Sequence, residues 1–324
     1  MAASRKEKLV GPVISLPTFT DDDHNLLLDR QRKHIRWLID SGIREGSGVL
    51  MIAGGYGESY FLEDYELEAL VDVLADEAGD EVPTMVGIFE LSARRAARKA
   101  RYAADAGIDF IELGMPHYSL PSEDDIFLHH RYVNDNADIG IMTYNNYWVM
   151  PGTREISRGL IERYVGLDNL MGIKWISGAE AHYVGMVRLF NDQFNFIDNR
   201  MVMASGARHG MKGFVDFFGN VAPTLSLRLW ELMREGKYDE LDELLMTVHF
   251  DPMTTLTTPD APGFAGMGDG PQGKLRWSLL GLDAGPVFPA QAEPSEAFAE
   301  HTRKILEAPG GVKEWVDWDQ SVLE

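Results

Sequence analysis

A lysine stands at the end of a short apolar run, LMGIKWISG, which covers residues 170 to 178. The run predicts a buried β-strand with Lys174 near its carboxyl end. Apolar surroundings disfavour the ammonium form of a lysine, so more of the side chain is the free amine that attacks a ketone. Lys174 is therefore predicted to form an imine. The alternative is a strand-end lysine that extends to water or pairs with a carboxylate.

A tyrosine occupies the matching place in the preceding apolar run. Tyr144 lies in IMTYNN, residues 141 to 146, and so near the end of the predicted strand before that of Lys174. Neighbouring strands can hold a phenol and an amine within proton-transfer reach of each other. We predict that Tyr144 transfers protons in the chemistry that begins at Lys174.

Eight such apolar runs alternate with longer amphipathic segments, and this pattern predicts the fold. In the segments 26–42 and 90–107 the apolar residues recur every three or four positions, as on one face of a helix. Eight strands with intervening helices predict a (β/α)8 or TIM barrel, whose active site lies at the carboxyl ends of the strands. The predicted strands lie within residues 11–19, 48–54, 83–90, 108–116, 139–146, 170–177, 194–199 and 213–220.

A doubly wound open sheet is the alternative fold, and it would require a cofactor fingerprint. The segment GGYGES, residues 54 to 59, lacks the third glycine of the G-x-G-x-x-G pattern because Tyr60 stands in its place. We therefore predict a barrel over residues 1–222, followed by a C-terminal helical extension over residues 223–324 that completes a single-chain unit. A Gly/Pro-rich segment at 259–273 is predicted to be a linker.

Composition narrows the class of protein. The chain has 324 residues and a formal charge of -21, so its average surface field repels nucleic acid and anionic lipid. No stretch is long and apolar enough to predict a membrane span. The absence of cysteine excludes disulfides and thiolate sites. These features predict a cytoplasmic protein with no cofactor and no metal, whose partner is a small molecule.

Five motifs in chain order carry a resemblance. The segments GGYGES, PHYSLPSEDD, YNNYWVMPG, GIKWISGA and GNVAP resemble the dihydrodipicolinate synthase/N-acetylneuraminate lyase family in order and spacing. The resemblance implies a class I pyruvate-type aldolase, assembled as a homotetramer of two tight dimers. It implies that Lys174 forms the Schiff base with a 2-oxo acid and that Tyr144 transfers protons. It also implies that Tyr118 enters the active site of the partner subunit.

Further residues are predicted to bind the substrate. Gly55 and Tyr56 are predicted to bind the 2-oxo acid carboxylate through backbone amides of the loop after the second strand, although the glycines also fit a simple tight turn. Trp148 is predicted to form an aromatic wall, with closure of the barrel top as the alternative. Val215, on the eighth predicted strand, completes this set. His209 and Ser205 stay unassigned.

The pair His129 and His130 lies in DDIFLHHRYV, a predicted helix after the fourth strand. Adjacent helical residues point to different faces, so the two side chains cannot form an i, i+4 metal pair. We expect both histidines to lie at the surface.

Two departures from the family pattern bear on the substrate. Gly55 and Tyr56 stand where many relatives carry two hydroxyl residues, and Val149 stands where the synthase has an arginine for its second substrate. Biosynthetic dihydrodipicolinate synthase activity is therefore disfavoured. The predicted reaction is reversible aldol cleavage between pyruvate and a neutral or aromatic aldehyde. The alternatives are dehydration of a 2-keto-3-deoxy sugar acid by the same imine, and a non-catalytic homologue that binds 2-oxo acids.

Overall fold

The computed structural model describes residues 2–118, 120–146, 149–150, 154–176, 179–199, 203–250 and 268–324. Eight parallel strands follow one another around a closed barrel in chain order, which confirms the predicted TIM barrel. One strand lies within each of the eight predicted runs. The strands are β1 Gly11–Ser15, β2 Val49–Ile52, β3 Thr84–Ile88, β4 Phe110–Leu113, β5 Gly140–Asn145, β6 Leu170–Trp175, β7 Asn195–Asp198 and β8 Gly213–Asp216.

Helices cover the outside of the barrel and continue beyond it. Every residue of the eight strands is buried, because the helices cover one face of the sheet and the barrel interior fills the other. The helices are α1 Ala2–Lys8, α2 Leu28–Asp40, α3 Asp64–Ala78, α4 Ala93–Asp105, α5 Glu123–Asn136, α6 Arg158–Tyr164, α7 Glu180–Phe190, α8 Met203–Ala207, α9 Pro223–Arg234, α10 Tyr238–Leu245, α11 Asp269–Leu279 and α12 Glu296–Leu306. Within the described ranges, no helix is long and apolar enough to cross a membrane.

The barrel interior is apolar at one level and polar at the next. The apolar level is a cluster formed by Leu9, Val13, Val49, Met51, Met85, Phe110, Met142, Met171, Ile197 and Val215. Because side chains alternate along a strand, the inward residue after Phe110 is Glu112, and the inward residue after Met142 is Tyr144. The apolar cluster therefore forms a packed floor beneath the polar residues near the carboxyl ends of the strands.

The histidines of α5 lie inside the protein, so the expected surface position was wrong. His130 is fully buried and His129 almost so. The His130 Nδ1 donates to the Ile126 carbonyl at 2.8 Å, and its Nε2 accepts the Thr143 hydroxyl at 2.7 Å. Burial lowers the pKa of His130 to about 3 and that of His129 to about 4. His130 therefore joins α5 to the outer face of β5 as a neutral side chain.

The C-terminal extension reaches back over the barrel mouth. Helix α11 begins at Asp269, so the last five residues of the predicted linker 259–273 are helical, and residues 259–267 lie outside the described part. A Cβ atom added at Gly270 would lie 2.5 Å from Cδ of Glu58, and one at Gly273 would lie 2.7 Å from Cδ1 of Tyr56. These glycines permit close packing rather than flexibility, which is why composition alone misidentified the segment. The domain division at residue 222 stays a prediction.

Candidate active site

Lys174 lies inside the barrel, near the carboxyl end of β6. Its side chain is 7% exposed, and its Nζ lies 3.0 Å from Oε1 and 3.3 Å from Oε2 of Glu112, which is on β4. In an eight-stranded barrel, the side chains of alternate strands share an interior layer, and this brings β4 and β6 together across β5. Lys174 therefore does not extend to water. A buried carboxylate lies beside the amine among the apolar neighbours, so the structure contains the carboxylate partner that the alternative interpretation of Lys174 named.

Tyr144 is the neighbour of Lys174 on the adjacent strand. Its Cα pairs with that of Lys174 in the β5–β6 ladder, and the Lys174 Nζ lies 4.0 Å from the centroid of its ring. The Tyr144 hydroxyl accepts a hydrogen bond from Asn199 Nδ2 at 2.9 Å. Burial raises the pKa of Tyr144 well above its ordinary value, and the negative charges of Asp269 and Glu112 add to the rise. Tyr144 is thus a neutral phenol that still carries its proton.

Glu112 is the polar residue that the sequence analysis missed. Its side chain is fully buried, in the middle of a strand whose other residues are apolar. Burying a carboxylate is costly unless it is paired and hydrogen-bonded, and Lys174 supplies that pair. An acidic residue at an inward position of the run FIEL was the available signal. It is the same kind of signal that identified Lys174.

The loop after β2 is a tight turn held from both sides. Ala53 and Glu58 adopt positive φ angles of 49° and 56°, and the Gly57 carbonyl accepts the Thr18 hydroxyl at 2.7 Å. A Cβ added at Gly57 would lie 2.8 Å from the Ala53 amide nitrogen, so the turn requires glycine there. The predicted carboxylate contacts of Gly55 and Tyr56 stay a prediction.

Tyr56 turns its ring toward the C-terminal extension. The ring centroid lies 5.0 Å from that of Phe217 and 6.0 Å from that of Trp277, which is on α11. Burial raises the pKa of Tyr56, and the buried guanidinium of Arg276 opposes that rise. Arg276 donates to Gln272 Oε1 at 2.8 Å. The aromatic side of the mouth is therefore built jointly by the β2 loop, the end of β8 and α11.

Asp269, the first residue of α11, brings a second carboxylate to the mouth. A Cβ added at Gly55 would lie 2.5 Å from Asp269 Oδ2. Asp269 is solvent-exposed as a residue. Desolvation of its carboxyl by the surrounding protein raises the pKa of that group, and the charges of Lys174 and Arg276 oppose the rise. Neither Asp269 nor Arg276 was predicted as a site residue, because the Gly/Pro-rich sequence around Asp269 was assigned to a linker.

The remaining predicted residues lie apart from Lys174 or outside the described part. Tyr118, in the loop between β4 and α5, is 87% exposed, so its predicted entry into a partner's site stays untested. Val215 lies in the apolar floor of the barrel. Val149 is partly buried against the outer core. Trp148 falls outside the described residues.

The two residues left unassigned, Ser205 and His209, take part in hydrogen bonds near α7. Ser205 donates to Glu180 Oε1 at 2.5 Å, and the backbone carbonyl of His209 accepts from Asn191 Nδ2 at 2.8 Å. In the described part of the chain, no group of three or more His, Asp or Glu residues is arranged to hold a metal ion.

Comparison with known proteins identifies the family. The model of the dihydrodipicolinate synthetase family matches residues 15–257. A 4-hydroxy-tetrahydrodipicolinate synthase of Methanospirillum hungatei is 28% identical over 305 residues, which cover 92% of this chain and 97% of that protein. An uncharacterised DapA-like lyase of Halobacterium salinarum is 27% identical over 303 residues, which cover 93% and 92%.

Solved structures share the fold. The dihydrodipicolinate synthase from Aquifex aeolicus superposes with a TM-score of 0.80 at 19% identity, covering 92% of this chain and 97% of that one. The chloride-inhibited synthase from Acinetobacter baumannii, complexed with pyruvate, gives a TM-score of 0.81 at 17% identity, covering 95% and 100%. Because the family model matches well over half of the chain, the chain belongs to the dihydrodipicolinate synthetase family, within the class I aldolase superfamily, and it is a lyase.

Proposed function

We propose that the protein catalyses reversible aldol cleavage of 2-oxo acids through an imine between Lys174 and pyruvate. The observation that carries the proposal is the position of the Lys174 amine, which lies inside the barrel mouth, 3.0 Å from a carboxylate and against the ring of Tyr144. Two solved relatives, the Acinetobacter baumannii synthase and the prophage protein YagE of E. coli K12, were determined in complex with pyruvate. Their complexes favour a 2-oxo acid as the ligand here.

The chemistry follows from the imine. In condensation, the protonated imine of pyruvate loses a C3 proton to water and becomes an enamine. The enamine carbon then attacks the aldehyde, a carbon–carbon bond forms and the nitrogen becomes a protonated imine again. The aldehyde oxygen takes a proton from the neutral Tyr144 phenol, which regains a proton from the water that took the C3 proton. Hydrolysis of the imine releases the 4-hydroxy-2-oxo acid and restores Lys174. Cleavage runs through the same steps in reverse.

The binding roles and the assembly belong to the same proposal. Backbone amides at Gly55 and Tyr56 bind the 2-oxo acid carboxylate, with Val215 beneath the substrate and Trp148 beside it. Tyr118 contributes from a partner subunit in a homotetramer, which agrees with its exposure in the single chain. The enzyme acts in the cytoplasm.

The charge of the mouth favours a neutral second substrate. Val149 offers no cation at the position where the synthase has an arginine for its second substrate, so a second anion would lack that partner. The ring of Tyr56 supplies aromatic surface at the same opening and packs on the buried ring of Phe217. These features support a neutral or aromatic aldehyde and disfavour aspartate semialdehyde.

A dehydratase acting on 2-keto-3-deoxy sugar acids is the second candidate. The Asn199 amide beside the Tyr144 hydroxyl and the Asp269 carboxylate can hydrogen-bond the hydroxyl groups of such a substrate. The enamine would then expel a hydroxyl group as water instead of breaking a carbon–carbon bond. A panel of both substrate types separates the candidates: aldol cleavage releases pyruvate, measured with a coupled dehydrogenase, whereas dehydration gives a 2-oxo acid lighter by one water in the mass spectrum.

Borohydride trapping tests the imine itself. With pyruvate present, borohydride should add irreversible mass to the peptide that carries Lys174, and the Lys174→Ala variant should gain none. The peptide that carries Lys274, another buried lysine, is the internal control and should stay unmodified. A wild-type protein that stays unlabelled under conditions that label a related aldolase would contradict the proposal and would leave a non-catalytic homologue as the better description.

A further inference from the structure

The closest charged partner of Lys174 has no role in the chemistry described so far. Glu112 is fully buried, and both of its carboxylate oxygens accept hydrogen bonds from the Lys174 Nζ, at 3.0 and 3.3 Å. Residues on β4 and β6 are not neighbours in the sheet, so this contact crosses the barrel interior above Met142 on β5. The carboxylate thus faces the reacting nitrogen inside the pocket.

The pairing raises a chemical requirement. An ammonium group has no lone pair, so Lys174 must lose a proton before its nitrogen can attack a carbonyl carbon. The proton acceptor has to lie within hydrogen-bond reach of the nitrogen. Tyr144 presents its ring face to the Nζ, and its hydroxyl accepts a hydrogen bond from Asn199. Glu112 meets the requirement with its carboxylate.

We propose that Glu112 is a catalytic residue, which takes the proton from Lys174 as the imine forms and then serves as the counter-ion of the protonated imine. This inference rests on the proposed function, because it requires a 2-oxo acid to react at Lys174. It adds to that function the residue that exchanges protons with the reacting nitrogen.

The proton transfers balance. Glu112 takes one proton from the ammonium, and the neutral amine attacks the carbonyl carbon; a carbon–nitrogen bond forms, the carbonyl π pair moves to oxygen, and oxygen receives the proton that Glu112 held. Glu112 then takes a second proton from nitrogen and gives it up as the hydroxyl group leaves as water. The nitrogen lone pair forms the double bond. The sum is one ammonium and one ketone giving one protonated imine and one water, with Glu112 again a carboxylate.

Glu112 is again a carboxylate when the imine has formed, and its negative charge has a further consequence. A protonated imine carries a positive charge in a buried site, and an opposite charge at hydrogen-bond distance stabilises it. Only the protonated imine withdraws enough electron density to acidify C3 of pyruvate. Glu112 should therefore act on both the formation of the imine and the later formation of the enamine. A carboxylate that merely joins β4 to β6 would act on neither.

Exchange of the C3 protons of pyruvate in D2O measures the enamine directly and needs no second substrate. Followed by proton NMR, the wild-type protein should exchange the methyl protons. The Glu112→Gln variant keeps the size of the side chain and removes its charge, so exchange should fall about a hundredfold or more, the scale of losing a positioned acid or base. The Glu112→Asp variant keeps the charge at a greater distance and should recover part of the rate.

A matched control lies beside the same strand. Asp109, next to the amino end of β4, accepts from the Lys8 Nζ at 3.1 Å and from the Thr84 amide at 3.1 Å, at the end of the barrel opposite Lys174. Asp109→Asn makes the same change of carboxylate to carboxamide at a lysine contact, and its exchange rate should match that of the wild type. Circular dichroism and melting temperature establish folding for each variant.

The outcomes separate the two claims. A wild-type protein that shows neither trapping nor exchange contradicts the proposed function. A wild-type protein that exchanges, with Glu112→Gln within about threefold of it, overturns the role of Glu112 and leaves the imine intact. If Glu112→Gln does not fold, Glu112→Asp decides: about a tenfold loss supports the proposal, and an unchanged rate overturns it.

Discussion

Two lysines of this protein are buried against glutamates, and they differ in what else they touch. The Lys174 and Glu112 side chains are 7% and 0% exposed, and those of Lys274 and Glu58 are 5% and 0% exposed. The first pair lies inside the barrel mouth. The second joins α11 to the loop after β2, at an Nζ to Oε2 distance of 2.8 Å. Burial alone therefore does not distinguish them.

The difference lies in the other hydrogen bonds. Lys274 also donates to the Pro286 carbonyl, and Glu58 also accepts from Gln291 Nε2, so the segment between α11 and α12 joins α11 and the β2 loop at that pair. Lys174 donates to the two oxygens of one carboxylate and faces the ring of Tyr144. A nitrogen held by separate fixed acceptors cannot turn toward a substrate. The comparison indicates that a buried lysine can react with a substrate only if its hydrogen bonds to the protein allow the nitrogen to turn toward that substrate.

The largest expected effect comes from replacing the aromatic residue beside each lysine. Tyr144→Phe should leave borohydride trapping at Lys174 detectable but lower the turnover about a hundredfold or more, because the neutral phenol no longer supplies a proton. The Lys274 Nζ lies 4.9 Å from the Phe288 ring, and Phe288→Leu should leave turnover per folded molecule close to that of the wild type. Steady-state kinetics with a pyruvate-coupled assay measures both. Unchanged turnover in Tyr144→Phe would remove Tyr144 from the mechanism.

The next test separates stability from labelling. Lys274→Met leaves the Glu58 carboxylate buried without its cation, and Lys174→Met does the same to Glu112. Removing one partner of a buried ion pair costs about 3–5 kcal/mol, so both variants should lower the free energy of unfolding by similar amounts in urea titrations. Only Lys174→Met should abolish borohydride labelling of the folded protein. Loss of labelling in Lys274→Met, at full folding, would break the distinction between the pairs.

The smallest expected effect concerns a buried group that stays neutral. Burial lowers the pKa of His130 from 6.5 to about 3 in the folded protein. As the pH falls below about 6.5, the unfolded chain binds a proton at this residue and the folded protein does not, so stability falls until about pH 3. Between pH 7 and pH 5.5 the loss from His130 is about 1 kcal/mol.

Urea titrations at several pH values measure this loss. His130→Asn removes the titrating ring, so its unfolding free energy should depend less steeply on pH over that interval than the wild-type value. An equal slope in the two proteins would show that the acid sensitivity comes from groups other than His130.

The fold could be predicted from the sequence because parallel barrel strands are buried on both faces. Each strand is then a short apolar run, and every one of the eight runs contains a strand. The proximity of Tyr144 to Lys174 was predictable for a related reason, since consecutive strands are neighbours in a TIM barrel. Their catalytic roles rest on the family resemblance and on the experiments above.

Residues were missed where three-dimensional packing carries the information. Glu112 meets Lys174 because alternate strands share an interior layer, a relation that does not appear when strands are compared with their neighbours. Asp269 was missed because the glycines around it, which permit close packing, have the same composition as a flexible linker. Arg276 was missed because it lies in the predicted helical extension, where no site was expected. The histidines of α5 were misplaced because their burial depends on Thr143 and on the barrel wall, which local sequence does not specify.

The glycines of α11 bear on how the substrate preference of this enzyme can be redesigned. Gly270 lies against Glu58 and Gly273 against Tyr56, so the helix and the loop fit each other with no room for an added methyl group. A different loop grafted over residues 54–59 would not fit α11, whose surface matches the present loop. Helix α11 would therefore have to be replaced together with the loop. The exchangeable module for recombination is therefore a pair of segments more than two hundred positions apart in the chain.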